Sequence, residues 1–532
     1  MKKNPIYLPL FLGIAVAIGV YIGSKLNFTD TTEKIFATNS KKDKLNKLID
    51  YIDYEYVDEV NTDSIVDVTV NGILENLDPH SVYIPVDQYA DNADDMRGAF
   101  TGIGISFHIY KDTIAVIRAI EGGPAAKAGI KGGDRILAAE GVSLFGGGMS
   151  RDSISEFLKG ELNSKVSLQV YRKDEDKIFN VSLRRKEVPL VSVDASYELS
   201  DGIGYIKVNR FSETTFDEFH SALKELNKKK IHSLVLDLRG NPGGYISAAE
   251  QIADEFLTDD KLILVTRNKQ GEETESFATR RGDFEDGKVY VLIDQNSASA
   301  SEIVAGALQD NDVGTIIGRR SFGKGLVQRE MSLGDGSAVR LTIARYYTPT
   351  GRSIQRPYGN GNDAYYSEYE SRYRNGELLH ADSIQVADSL RFVTPKGKIV
   401  YGGGGIMPDV FVPKDTSVEN ETIEFVSRSG FMSFFIFEFL EENRSIFKNI
   451  PFVDFAESYQ VDPETVEAFL EYARLSEARI DLSEYAEALK KAIKANMAEQ
   501  LYGPNAFEYI LNEGDPMIQK VMELEGFLPV IE

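Results

Sequence analysis

From Gly202 to about Val412 the chain alternates between short apolar runs and amphipathic segments, and this alternation limits its fold more than any other feature. Ile203 to Val208 reads as a strand, and Thr215-Phe-Asp-Glu218 as a capping box opening a helix to about Leu226. Ser233 to Asp237 is a second strand, followed by Leu238-Arg-Gly-Asn-Pro-Gly-Gly244 and another helix. Val289 to Ile293 is a third, followed by Asn296-Ser-Ala-Ser-Ala-Ser-Glu302, a helix to about Gln309 and a strand from Gly314 to Ile317. Such an order implies a mainly parallel sheet with helices on both faces. Reactive groups gather at the carboxyl ends of strands in these sheets, and Gly243-Gly244 and Ser297 to Ser301 both fall there.

The flanking regions differ in texture. Thr29 to Asp94 reads as helical, with apolar residues at helical spacing over Ile35 to Val57 and Ile65 to Leu77, before the break at Asp78-Pro79. Met96 to Glu187 is a series of short β-like runs punctuated by glycine, with one helix at Ser153 to Leu158. The tail from about Thr416 to Glu532 is acidic and helical, either an extra domain or a partner surface. A chain of 532 residues accommodates three or so such domains. Its net charge of −24 argues against nucleic acid as a partner, because phosphate binding needs clustered Lys and Arg. With no cysteine, disulfides, thiol catalysis, thiolate zinc sites and a lipid-bearing cysteine are excluded.

Compartment is read from the N-terminus. Lys2 and Lys3 precede an apolar run from Ile6 to Ile22, at the short limit for a membrane span. The lysines favour a cytoplasmic N-terminus, so residues 1–25 are expected to be a single-pass inner-membrane anchor with the bulk of the chain in the periplasm. A cleaved signal peptide is the rival, but no clear A-x-A site follows.

A serine attacks an amide only when a base takes its proton, and a buried lysine with a lowered pKa can be that base. Three serines alternate with alanines in Ser297 to Ser301; this is either close packing at a helix start or a nucleophile held at the sheet edge beside exposed backbone N–H groups. Gly240 to Gly244 would supply a second set of N–H donors, as a tetrahedral intermediate requires. Lys324 lies between glycines in Phe322-Gly-Lys-Gly-Leu-Val-Gln328, where Gln328 could orient its amine. Gly318 to Lys324 nearly matches a phosphate-binding loop, but Gly325 stands where the magnesium-binding hydroxyl belongs. None of the five histidines sits in a G-x-S-x-G pairing; His80 in Asp78-Pro-His-Ser81 reads as a structural turn. No spacing suggests a metal or other cofactor.

Gly102-Ile-Gly-Ile105, joined to Gly123-Pro-Ala-Ala-Lys-Ala-Gly-Ile-Lys-Gly-Gly-Asp-Arg-Ile-Leu137, resembles the signature of a PDZ domain, whose glycine-rich loop holds a peptide's terminal carboxylate. The order of that segment, Asp237 to Gly244, Ser297-Ala-Ser-Ala-Ser-Glu-Ile303, Phe322 to Gln328 and Tyr346-Tyr-Thr-Pro-Thr-Gly351 is similar to the carboxyl-terminal processing peptidases, the tail-specific proteases of family S41, over roughly residues 40 to 412. The resemblance implies a β-rich PDZ domain (96–187) beside a crotonase/ClpP-like protease core with a parallel sheet (188–415); with the anchor or signal (1–25), the N-terminal helical region (29–95) and the acidic helical C-terminal domain (416–532) read from the sequence itself, a multidomain α/β protein is expected. It implies Ser299 as nucleophile, Lys324 as general base and Gln328 as its assistant, with the backbone N–H groups of Ala300 and Gly244 as oxyanion hole.

The peptide groove is expected along Gly102, Ile103, Gly104, Ile105 and Phe107, facing Ile154 and Leu158. Substrates are then proteins with apolar C-terminal tails, cleaved in a serine-peptidase reaction without cofactor or metal. The PDZ domain is expected to gate the site, a homodimer to form through the N-terminal helices, and an adaptor to be a further partner. Two other functions compete: a PDZ-based adaptor with a silent protease fold, which would need Ser299, Lys324 or Gly244 lost, and an acyl-CoA enzyme on the same sheet type, which the PDZ segment and the expected membrane anchor disfavour.

Overall fold

The computed structural model describes residues 42–527 except 111, 147, 448 and 476–480, so the expected membrane anchor and the start of the first expected helix lie outside the described residues. Among the described residues no helix is long and apolar enough to cross a membrane. The chain divides into two compact units, residues 1–74 and 75–532. In the first, helix Lys42–Glu55 is joined to the start of helix Thr62–Glu75 by a hydrogen bond from Thr62 Oγ1 to Asp53 Oδ1 (2.9 Å).

The second unit is built on a six-stranded sheet. Val193–Ser200, Ile203–Val208, Ser233–Asp237, Lys288–Ile293, Gly314–Gly318 and Val410–Phe411 follow one another across it; the first pair is antiparallel and the rest parallel. Every residue of Ser233–Asp237 is buried, as expected of a parallel strand covered on both faces. Helices Thr215–Lys228, Ile246–Asp254 and Ala300–Asp310 pack one face through Phe219, Leu223, Ile252 and Ile303. The other face, through Tyr205, Val235 and Leu292, receives Met517, Ile518 and Val521 of helix Pro516–Leu524. The expected second helical layer therefore comes from the far end of the chain.

One local expectation is corrected. Thr214, not Thr215, precedes the helix, and Glu218 forms no capping box. Its carboxylate accepts from Thr214 Oγ1 (2.8 Å) and from the Ser192 and Val193 N–H groups (2.7 and 3.1 Å), because the incoming strand offers two unpaired donors.

A second, antiparallel sheet adjoins this core. Its long strand Ala338–Tyr347 pairs with Val82–Ile84, Leu326–Ser332 and Leu262–Asn268, and Glu273–Phe277 extends it. Lys324 thus lies just before Leu326–Ser332, at the end of a loop.

Residues 105–184 form an antiparallel sheet with helix Arg151–Leu158 packed on it, around Ile114, Val116, Ile136, Val166 and Val170. The chain enters and leaves it through a two-stranded neck, Ala99–Gly102 paired with Lys186–Pro189. The tail folds around its own core of Phe435, Phe455, Phe469 and Ile493. Its helix Phe431–Phe447 rests on the β-domain: Phe434 stacks on His108 at 4.2 Å, and Arg135 lies 5.0 Å over Phe437 while pairing with Glu441.

Candidate active site

The carboxyl ends of Ser233–Asp237 and Lys288–Ile293 deliver two loops to one place. In the serine cluster the outer hydroxyls are spent on structure: Ser297 Oγ donates to Leu238 O (2.7 Å) and Ser301 Oγ to Asn241 O (3.0 Å), and both residues are fully buried. Ser299 alone is partly exposed, at φ 55° and ψ −113°, immediately before helix Ala300–Asp310. A non-glycine residue in this region stores about 1–3 kcal/mol, the kind of strain that collects at functional sites.

The glycine run lies directly against this turn. A Cβ on Gly243 would sit 2.7 Å from Ser299 Cβ and 2.9 Å from Ala300 N; on Gly244 (φ 146°) it would meet Phe211 O at 1.9 Å. Asn241, fully buried, fixes the run by accepting from Gly243 N (2.8 Å) and donating to Val208 O (2.8 Å), while its own carbonyl accepts from Ala298 N (3.0 Å). Gly243 is thereby packed against Ser299 and Ala300, and Gly244 follows it in the run, bridged to Phe211.

Lys324 arrives from the other side. Its Nζ donates to Gln328 Oε1 (2.9 Å), and its pKa is lowered to about 8. Burial is the main cause, Arg340 adds to it, and the carboxylates of Glu302 and Asp78 oppose it. About a tenth of such amines are neutral at pH 7, against fewer than one in a thousand for an ordinary lysine.

Two residues without an expected role hold serine and lysine in one frame. The Glu302 carboxylate, fully buried, accepts from Ser299 N (2.9 Å), Ser321 Oγ (2.5 Å), Gly323 N (2.7 Å) and Lys324 N (2.8 Å). Burial still raises its pKa above the usual range. The Tyr346 hydroxyl, on the antiparallel sheet, is within reach of both Ser299 O (3.1 Å) and Lys324 O (2.8 Å). Glu302 stands in the quoted serine motif and Tyr346 in the quoted Tyr-Tyr-Thr-Pro segment; an acid among small residues at a helix start was the one available signal.

In the β-domain, Gly102 ends one strand and Ile105 begins the next, with Gly104 at φ 77° making the corner. The corner is fixed by Ala125 N donating to Ile103 O (2.9 Å) and Ile120 N to Gly104 O (3.0 Å). Ile105 and Phe107 are half-buried, with Arg151 stacked 5.3 Å from the Phe107 ring. Ile103, Ile154 and Leu158 lie in the domain core, so of the five apolar groove candidates only Ile105 and Phe107 present appreciable surface.

Residues 202–363 match the profile of peptidase family S41, residues 101–183 that of the PDZ domain, and residues 422–503 a family of unknown function, DUF8443. These matches define a serine-type peptidase bearing a PDZ domain. The carboxy-terminal processing protease CtpB of Bacillus subtilis (strain 168) is 35% identical over 353 residues, covering 64% of this chain and 72% of its own. A carboxy-terminal-processing protease of Bartonella bacilliformis is 36% identical over 330 residues, covering 61% and 75%. Among solved structures, the photosystem II D1 C-terminal processing protease aligns at 26% identity and a TM-score of 0.36, over 70% of this chain and 86% of that one. The chain belongs to the carboxy-terminal processing proteases of peptidase family S41.

Proposed function

We propose that this peptidase is an anchored, extracytoplasmic endopeptidase in which Ser299 is the nucleophile and Lys324 its general base. The observation that carries this reading is that the backbone N–H groups of Ser299, the one serine of the cluster left partly exposed, and of Lys324, whose amine has its pKa lowered to about 8, both donate to the Glu302 carboxylate. Neutral Lys324 takes the Ser299 proton as Oγ attacks the scissile carbonyl. The Ala300 and Gly244 N–H groups receive the oxyanion. Lys324 then returns the proton to the leaving amine, and water, deprotonated by the same amine, releases the acyl group. Gln328 orients the amine through Oε1.

Substrates are proteins with apolar, flexible C-terminal tails. The terminal carboxylate is held at the Gly102–Ile105 corner, and the tail's side chains lie against Ile105 and Phe107. The apolar run from Ile6 to Ile22, flanked by lysines, supports a single-pass anchor with the catalytic region in the periplasm. A homodimer through the N-terminal helices, PDZ gating of the site and an adaptor complete the proposal. The test is cleavage of an unfolded protein with an apolar tail, free or amidated at its C-terminus. Wild type is expected to cleave the free-tailed substrate faster, and Ser299→Ala and Lys324→Ala neither form; equal cleavage of both tails would remove carboxylate recognition from the account.

A further inference from the structure

The Asp78-Pro-His-Ser81 turn is not the isolated structural turn that its sequence suggests. It reaches the catalytic lysine's partner from 248 residues away: Gln328 Nε2 donates to the His80 carbonyl. The turn itself is stitched by one buried carboxylate. Asp78 Oδ1 accepts from the His80 and Ser81 N–H groups (2.9 Å each) and from Thr342 Oγ1 (3.1 Å), and Oδ2 accepts from Ser81 Oγ (2.6 Å). Ser81 Oγ in turn accepts from Thr342 N (3.1 Å), and Thr342 pairs with Gln328 across the antiparallel sheet. On the outer side, Tyr366 donates to Pro79 O (3.1 Å), and the His80 ring sits between Phe322 and Tyr365, with Nε2 2.9 Å from the Tyr365 hydroxyl.

From this arrangement we propose that the Asp78–Ser81 turn is a positioning element for catalysis: its His80 carbonyl sets which way the Gln328 amide faces, and so keeps the Lys324 lone pair free for Ser299. The proposal rests on Lys324 being the base. A carbonyl oxygen can only accept, so the amide must turn its NH2 to His80 and its oxygen to Lys324. The oxygen then engages an N–H of the amine. In the flipped orientation two acceptors would face each other at His80, and the amide NH2 would donate into the lone pair that must take the serine proton. A glutamine alone is indifferent between these states; the turn removes the indifference. Because Asp78 fixes the carbonyl through backbone N–H groups, the imidazole of His80 is not the operative group. The charged and titratable groups facing Lys324 are Arg340, Glu302 and Asp78, with His80 alongside.

The test uses the full chain, measuring peptide cleavage against pH for wild type, Asp78→Ala, Asp78→Asn, Ser81→Ala and Lys324→Ala. Asp78→Ala is expected to lower kcat on the order of 10²-fold, the scale of a misplaced catalytic group, with KM changed less than about threefold. Its acid limb should move to lower pH, since a carboxylate that raises the lysine pKa is gone. Asp78→Asn keeps an oxygen for both N–H groups and should recover most of kcat while retaining the shifted limb. Should Asp78→Ala fail to melt cooperatively, Ser81→Ala, which loosens the same turn at Thr342, must show the kcat loss at smaller amplitude. An Asp78→Ala or Ser81→Ala protein that folds, with unchanged kcat and acid limb, would overturn the proposal. Lys324→Ala separates the two layers: activity surviving in that variant would instead remove Lys324 as base.

Discussion

At the residue scale, the distinction between Ser299 and its neighbours is one of spent and unspent hydroxyls. Ser297 and Ser301 donate to backbone carbonyls inside the core, so their loss should loosen the loop without ending the chemistry. We expect Ser301→Ala to keep activity within about tenfold and to cost about 1 kcal/mol of stability, read by thermal melting, whereas Ser299→Ala should leave none. Glu302→Gln is a sharper case. Its carboxylate satisfies four donors, and an amide cannot accept from all of them without turning its own N–H groups against some. At about 1–3 kcal/mol for each donor left unsatisfied, both stability and kcat should fall together. His80 adds a pH dependence of folding. Burial, with the charge of Lys324, lowers its pKa from 6.5 to about 4, so between these values the unfolded chain binds a proton that the folded chain does not. Stability should therefore fall as pH drops from 6.5 to about 4, by about 2 kcal/mol after allowance for solvent screening, and His80→Ala should remove that dependence.

At the element scale, the short motifs were legible because each is local. The strand–loop–helix pattern around Ser299 and the glycines at 240–244 announce a sheet-edge site from their own residue types. What was not legible depends on distant partners. Nothing near Gln328 names His80, and nothing near Ser299 or Lys324 names the Tyr346 hydroxyl between their carbonyls. The groove residues pose the opposite problem. Apolar residues at strand and helix spacing mark Ile103, Ile154 and Leu158, but the pattern is the same for a core position as for a groove wall. The capping box failed because Glu218 had a better use, satisfying donors on Ser192 and Val193 that its own helix does not contain. Gly244 has no room for a side chain: at φ 146°, with Phe211 O 1.9 Å from any added Cβ, Gly244→Ala must displace the loop. Loss of cleavage with a lowered melting temperature is the expected outcome; a wild-type rate would mean that Gly244 does not help bind the oxyanion.

At the scale of the whole molecule, the tail is part of the protease rather than an appendage to it. Helix Pro516–Leu524 covers one face of the central sheet, Glu525 accepts from Tyr290 and Ser233 (2.6 and 2.8 Å), and Asp515 pairs with Arg239 (2.7 Å) at the root of the glycine run. The same tail touches the PDZ domain through Phe434, Phe437 and Glu441. Ending the chain near residue 415 would expose Tyr205, Val235 and Leu292 to water, and we expect such a protein to be insoluble or inactive in a sedimentation and cleavage assay. An active, soluble truncation would show that the sheet does not need this cover.

Proton transfer from Ser299 to Lys324 is read by the rate at which a serine-directed phosphonate labels the protein as a function of pH, with the modified residue located by mass spectrometry. Modification is expected at Ser299, at a rate that rises with pH through a midpoint at about 8 and levels off as the amine becomes fully neutral, with no comparable labelling in Lys324→Ala. Labelling at another serine, or a Lys324→Ala protein that reacts at the wild-type rate, would contradict that transfer.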